Sequence, residues 1–168
     1  MEKRLTQQRI SSNLWFNKNA EEAVDFYLGI FKNSQKGRIA RYGKEGFEFH
    51  GMPEGSVMTI EFALDGQEFI ALNGGPHFQF NEAISFVVNC KTQEEVDYYW
   101  EKLTEGGDVK AQMCGWLKDK FGVSWQVVPE ELTDMLQDPD AAKVAKVSNA
   151  VFQMKKLDLP KLREAYGK

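Results

Sequence analysis

Residues 10–16, Ile10-Ser11-Ser12-Asn13-Leu14-Trp15-Phe16, form a short apolar run of the length and composition of a strand. Asn17-Lys18-Asn19 then supplies helix-capping residue types, and the period changes. Ala23, Phe26, Tyr27 and Ile30 recur at i, i+3, i+4 and i+7, which predicts a capped helix running to about residue 31. Adding 73 to those four positions gives Val96, Tyr99, Trp100 and Leu103, the apolar face of a second helix that starts after Thr92 and ends at Gly106-Gly107. The strand before it repeats in the same register, with residues 10–16 falling on 83–89 and Ser12 on Ser85. Such self-similarity predicts two copies of one supersecondary unit.

Each copy continues with strands. In the first they are expected over 37–42, 56–64 and 68–72, with Asp65-Gly66-Gln67 as a hairpin turn. In the second they are expected over 109–117 and 123–128, joined through Asp119 to Gly122, where an acceptor side chain opens the turn and a glycine able to take positive φ closes it. Pro129, with no N–H to donate, ends that ladder. Residues 43–55, with Phe47, Phe49, His50, Gly51 and Pro53, are expected to form a loop. After Pro129 the pattern is helical: a short helix over 130–136, a longer one opened by Asp138-Pro139-Asp140 with Val144, Val147, Val151 and Met154 on one stripe, and a last turn or two capped at Asp158. The organisation expected is a first βαβββ module over 5–78, a second over 79–129 and a helical extension over 130–168, together one α+β protein. The apolar stripe of the long helix is expected either on its own module or across a second subunit.

Several stretches resemble one family in order along the chain: Leu14-Trp15-Phe16, Ala20 to Tyr27, Leu72-Asn73-Gly74-Gly75-Pro76, Ile84-Ser85-Phe86 with Gln93-Glu94-Glu95-Val96-Asp97, and Cys114 to Pro129 with its D-x-F-G-x-x-W hairpin. On these the chain is similar to PhnB-like proteins of the vicinal oxygen chelate superfamily, which also holds glyoxalases, bleomycin-resistance proteins and dioxygenases. The resemblance implies a glyoxalase/bleomycin resistance-like fold in which two βαβββ modules form curved sheets around a cleft. Family members often carry the name 3-demethylubiquinone-9 3-methyltransferase. In the superfamily's enzymes the first and last strands of each module hold a divalent metal, with His or Gln early and Glu late. Carried onto this chain, the early positions fall at Ser12 and Ser85, give or take one residue. The late ones, aligned on Gly66 and Gly122, fall at Ile70 and Gln126. That set lacks the several N, S or carboxylate donors that Zn²⁺, Ni²⁺ or Fe²⁺ require, so neither a metal nor another cofactor is expected.

Composition narrows the partners. The 168 residues are 42% hydrophobic and 12% aromatic, enough for a real core, and 21 basic against 25 acidic residues give a net charge of −4. No lysine or arginine cluster suits nucleic acid or an anionic membrane, and no apolar run approaches a membrane span of ~20 residues. The N-terminal Met1-Glu2-Lys3-Arg4 leads into polar residues, so a cytoplasmic protein is expected. Cys90 and Cys114 stand alone, without C-x-x-C spacing.

The candidate ligand-binding residues are Ser12, Asn73, Ser85, Gln112, Cys114, Trp116 and Gln126, polar or aromatic groups placed where the cleft is implied. Trp15 and Trp125, with Phe49 and Phe78, are candidates either for the pocket lining or for the core. Which face of the first strand lines the cleft is open, since Ser12, Leu14 and Phe16 share one face and Asn13 and Trp15 the other. Cys114 is read as a buried, inert thiol, and Glu21-Glu22 and Glu94-Glu95 as charge at helix N-termini. The function expected is binding of a small apolar or aromatic molecule by a homodimer. One alternative is a metal-dependent enzyme on a small oxygenated substrate, using His50 or His77. The other is the methyltransferase of the family name, although no G-x-G-x-x-G follows a strand.

Overall fold

The computed structural model describes residues 8–167, so the N-terminal Met1 to Arg4 and the start of the first module at residue 5 lie outside the described residues. The chain divides into two compact units between Gln79 and Phe80.

The first unit has the element order β1 (Ser12–Phe16), α1 (Ala20–Ile30), β2 (Ser34–Arg41), α2 (Phe47–His50), β3 (Val57–Leu64) and β4 (Gln67–Asn73). Its sheet runs β1-β4-β3-β2, with β1 parallel to β4 and the other pairs antiparallel. Alternation decides the core. Leu14 and Phe16, Ile60 and Phe62, and Phe69 and Ala71 are buried, as are Ala23, Val24, Tyr27 and Ile30 of α1, which packs on β3 and β4. The Tyr27, Phe62 and Phe69 rings continue one stack, with centroids 6.4 and 5.2 Å apart. Asp65 (φ 46°) and Gly66 (φ 83°) make the predicted hairpin turn.

The helix start differs from the sequence expectation. Asn19 is at the N-cap position but its side chain makes no capping bond. The cap comes from Asn73 at the end of β4, whose Oδ1 accepts the Ala20 N–H at 2.9 Å. The Asn73 amide nitrogen donates to Glu21 Oε2 (2.7 Å) and to the Val57 carbonyl (3.1 Å). A buried amide close to a helix N-terminus satisfies itself this way, and Asn19 is left free of the task.

The second unit contains β5 (Phe86–Cys90), α3 (Gln93–Thr104), a 3-10 turn (Val109–Ala111), β6 (Trp116–Lys118), β7 (Ser124–Pro129), α4 (Glu130–Leu136), α5 (Ala141–Phe152) and α6 (Leu159–Tyr166). Its sheet runs β5-β7-β6, with β5 parallel and β6 antiparallel to β7. The strand expected over 109–117 is not continuous. Cys114 (φ 54°) and Gly115 (φ 85°) both adopt left-handed backbone, and mutual N–H···O bonds between Met113 and Trp116 close a two-residue turn around them. The sheet of the second unit thus has three strands among the described residues, with Met113 and Trp116 forming an isolated bridge at the start of β6.

The repeat also needs a correction of one residue. The helices keep the 73-residue offset, but buried Leu14 and Phe16 correspond to buried Val88 and Cys90, an offset of 74. Three residues join β1 to α1 and only two join β5 to α3, so the strand slides by one against the helix. Because side chains alternate, that single residue exchanges the two faces.

The C-terminal stripe is buried within its own unit. Val147 joins Leu132, Met135, Leu157 and Leu162, with Val151, Met154 and Val128 packed against them. Asp140 and Asp158 cap α5 and α6, as their positions predict.

Candidate functional site

The D-x-F-G-x-x-W hairpin is a self-contained polar knot. Asp119 is 3% exposed; its Oδ1 accepts the N–H groups of Phe121 (2.9 Å) and Val123 (3.0 Å), and its Oδ2 accepts the Trp125 indole N–H (2.8 Å). The carboxylate closes the loop and fixes the ring of Trp125, which is itself buried in the core. Motif and fold coincide here, since the Asp119 carboxylate and the Trp125 indole N–H are both engaged in closing the hairpin.

The candidates lie beside it, on the sheet face that α3 does not cover. α3 packs on β5, β6 and β7, and the buried residues Val88, Cys90, Leu117, Trp125 and Val127 alternate with a second set pointing the other way. That second set forms three rows, of which Asn89 with Val128 is the one that meets the C-terminal helices, through Val128. Val87, Gln126 and Trp116 are paired in register across β5, β7 and β6, and in the next row Ser124 faces Lys118. Gln126 Nε2 donates to Ser85 Oγ at 2.9 Å, so two of the candidate side chains are bonded to each other and Trp116 is the cross-strand neighbour of one of them. Val87 is 49% exposed, Trp116 and Gln126 are half-buried, and Lys118 pairs with Glu82. That pairing, with a backbone N–H, holds the Glu82 carboxyl below its usual range.

Ser124 was not among the expected residues. It is 2% exposed, and its hydroxyl has no hydrogen-bond partner among the described residues. A buried polar group left unmatched costs about 1–3 kcal/mol. Nothing in the sequence distinguishes it from any other strand serine.

The remaining candidates stand apart from these rows. Cys114 occupies the tight turn; its N–H is bound by the Met154 carbonyl (2.8 Å), as that of Gly115 is by Lys155 (2.8 Å), and its thiol is half-buried rather than enclosed. Gln112 follows the 3-10 turn, off the strands. The enclosed thiol is Cys90, pushed up to about 12 by burial first, then by the charges of Glu95 and Glu130. In the first unit Asn73 is the helix cap described above. Ser12 lies on the face of Leu14 and Phe16, while the other face carries Asn13 and Trp15. Trp15 Nε1 donates to the Gly75 carbonyl at 2.9 Å, and its ring meets Phe78 edge-on at 4.9 Å.

The register also bears on the positions that the family resemblance implies for a metal. Asn13 pairs with Ile70 and Val87 with Gln126, so the residues directly opposite the two late positions are Asn13 and Val87. Two amides, an isoleucine and a valine do not fit a divalent metal. Glu61, beside Ile70 on β3, is held by the Arg38 guanidinium through two bonds. His50 has both ring nitrogens engaged, Nδ1 by the Met52 N–H (2.9 Å) and Nε2 at the Glu45 carbonyl (3.2 Å), and His77 is exposed. No group of three or more His, Cys, Asp or Glu residues suited to a metal occurs among the described residues.

Comparison with known proteins fits this architecture. The model of the family called 3-demethylubiquinone-9 3-methyltransferase matches residues 8–128. The PhnB protein of Bacillus cereus is 36% identical over 73% of this chain and 99% of its own, with a TM-score of 0.63. The chain belongs to this family, the PhnB-like branch of the vicinal oxygen chelate superfamily. A Pseudomonas aeruginosa protein shares the fold at 22% identity, covering 74% of this chain and 98% of its own with a TM-score of 0.57. The fosfomycin resistance protein FosX of Listeria monocytogenes is similar at 19% identity, 79% and 99% coverage and a TM-score of 0.48. No curated protein matches the chain. The α+β glyoxalase/bleomycin resistance-like fold implied by the family resemblance is therefore the fold of this PhnB-like protein, with its C-terminal helices beyond the matched residues. Among the described residues no helix is long and apolar enough to cross a membrane.

Proposed function

We propose that this PhnB-like protein binds a small molecule with an apolar or aromatic body on the face of the β5-β7-β6 sheet opposite α3, beside Gln126 and Trp116. The observation that carries the reading is the Gln126–Ser85 hydrogen bond set beside half-buried Trp116 and partly exposed Val87. A ring platform with one oriented amide is the usual make-up of a small-molecule site, with apolar contact for affinity and few polar groups for orientation. The donor set at the superfamily's metal positions supports a metal-free mode of binding. Purified protein, screened for ligands by quenching of tryptophan fluorescence and by thermal shift, is expected to yield ligands whose binding is lost in Trp116→Ala and weakened about tenfold or more in Gln126→Ala. Ligands that bind both variants as they bind the wild type would remove this face from the reading.

The protein acts, in this reading, as a cytoplasmic homodimer. Phe47, Phe49 and Phe78 in the first unit and Ile84, Met113 and Phe152 in the second are more than half exposed, which is apolar surface of the kind a second copy covers. Cys90 and Cys114 are unpaired thiols, as suits a reducing compartment. Native mass spectra are expected to show a dimer without bound metal; a monomer, or one metal per subunit, would refute the corresponding part.

A further inference from the structure

Ser124 gives the proposed site a chemical preference. Its hydroxyl is buried and has no hydrogen-bond partner among the described residues, and by alternation along β7 its side chain is on the Gln126 side of the sheet, opposite α3. Lys118 is directly opposite on β6. On the other side, the parallel register Phe86↔Trp125, extended by one residue, brings Ser85 level with Ser124. The Ser85 oxygen already accepts from Gln126 Nε2, so its own proton is directed elsewhere. Lys118 gives one N–H to Glu82 and keeps two. Two hydroxyl donors and one ammonium therefore line a single row. A neighbouring acceptor is the Glu82 carboxylate, which is paired with Lys118 and 62% exposed. The next row, Val87 and Trp116, is apolar but for Gln126.

We propose that Ser124 anchors a carboxylate, carried by a ligand whose apolar body lies over Val87 and Trp116. The carboxylate would occupy the place of Glu82 on Lys118 and receive the Ser124 and Ser85 protons. One ammonium, already shared with Glu82, matches a single negative charge and under-compensates the double charge of a phosphate. This inference rests on the binding reading above and specifies its ligand class.

The test uses phenylacetate, its neutral counterpart phenylacetamide and phenyl phosphate as probes, with affinities measured by NMR titration and thermal shift. Wild type is expected to bind phenylacetate at least tenfold more tightly than phenylacetamide. Ser124→Ala is expected to erase that preference while leaving the melting temperature unchanged or raised, because it removes an unmatched buried hydroxyl; a merely structural serine would not give this opposition of signs. Lys118→Met is expected to weaken phenylacetate and spare phenylacetamide. Equal affinity for acid and amide, an unchanged acid affinity in Ser124→Ala, or tighter binding of phenyl phosphate would overturn the carboxylate assignment. If phenylacetamide binding still depends on Trp116 in that case, the broader binding reading survives; if no probe binds wild type in a Trp116-dependent way, both fall.

Discussion

Replacing Asp119 by asparagine changes one atom of the side chain and inverts one hydrogen bond. In the native hairpin both oxygens accept, one from two backbone N–H groups and the other from the Trp125 indole. An amide can keep its oxygen toward the backbone, but its NH₂ then faces the indole N–H, donor against donor. The cost combines the weakening of charge-assisted bonds with an unpaired buried indole, about 2–4 kcal/mol. For a chain of this length that corresponds to roughly 4–16 °C in melting temperature. Trp125→Phe removes the offended donor. In that background Asp119→Asn is expected to cost about 1–2 kcal/mol less than in the wild type, which is the coupling a double-mutant cycle isolates. Urea unfolding followed by circular dichroism gives the four stabilities without relying on tryptophan emission. Additivity within about 0.5 kcal/mol, or a single-mutant cost below about 1 kcal/mol, would refute the assignment of Asp119 as the fastener of the hairpin.

Further outcomes follow from other residues. Asn73→Ala is expected to lower stability by about 2–3 kcal/mol in chemical denaturation, and Asn73→Asp to lower it too although aspartate is a good cap, because Glu21 and the Val57 carbonyl would then face an acceptor. In native protein iodoacetamide is expected to label Cys114 and spare Cys90, detected by peptide mass spectrometry, with Cys90 labelled only in denaturant. The raised thiol of Cys90 also means that stability falls as pH rises from the unfolded value of about 8.5 toward 12, a loss absent in Cys90→Ala. Asp97 and Asp158 lie below the usual carboxylate range, the first through Lys156 and Gln93 and the second through the backbone N–H and ammonium of Lys161. Their contribution is complete above about pH 4 and is lost as pH falls through their folded values, so Lys156→Met is expected to lower stability slightly in urea unfolding at pH 7, with the difference from wild type vanishing as acid protonates Asp97.

The helix faces made the repeat visible in the sequence, because Ala23, Tyr27 and Ile30 and their counterparts Val96, Trp100 and Leu103 sit on a period that only a helix uses. The strands did not carry equal information. β1 is apolar or aromatic on both faces, so a connection shorter by one residue slid the register without disturbing any pattern, and Ser12 corresponds to Phe86 rather than to Ser85. Cys114 hid a turn because cysteine is not a residue that left-handed backbone normally selects, and only the following glycine hinted at it. Asn73 was legible as a polar group in need of a partner, but the partner is a helix end 53 positions away. Of the site, Ser85, Trp116 and Gln126 were named from strand position and meet on one face; the condition of Ser124 is a property of its surroundings alone.

The tight turn at Cys114 and Gly115 leads directly into the strand that carries Trp116 and Lys118, and both of its N–H groups are held by carbonyls of Met154 and Lys155. The family match ends at residue 128, so those carbonyls belong to sequence outside the shared pattern. The extension thus works as a clamp on one end of β6. Changes in the link between α5 and α6 can retune that strand's position and stiffness while every residue of the shared hairpin stays as it is.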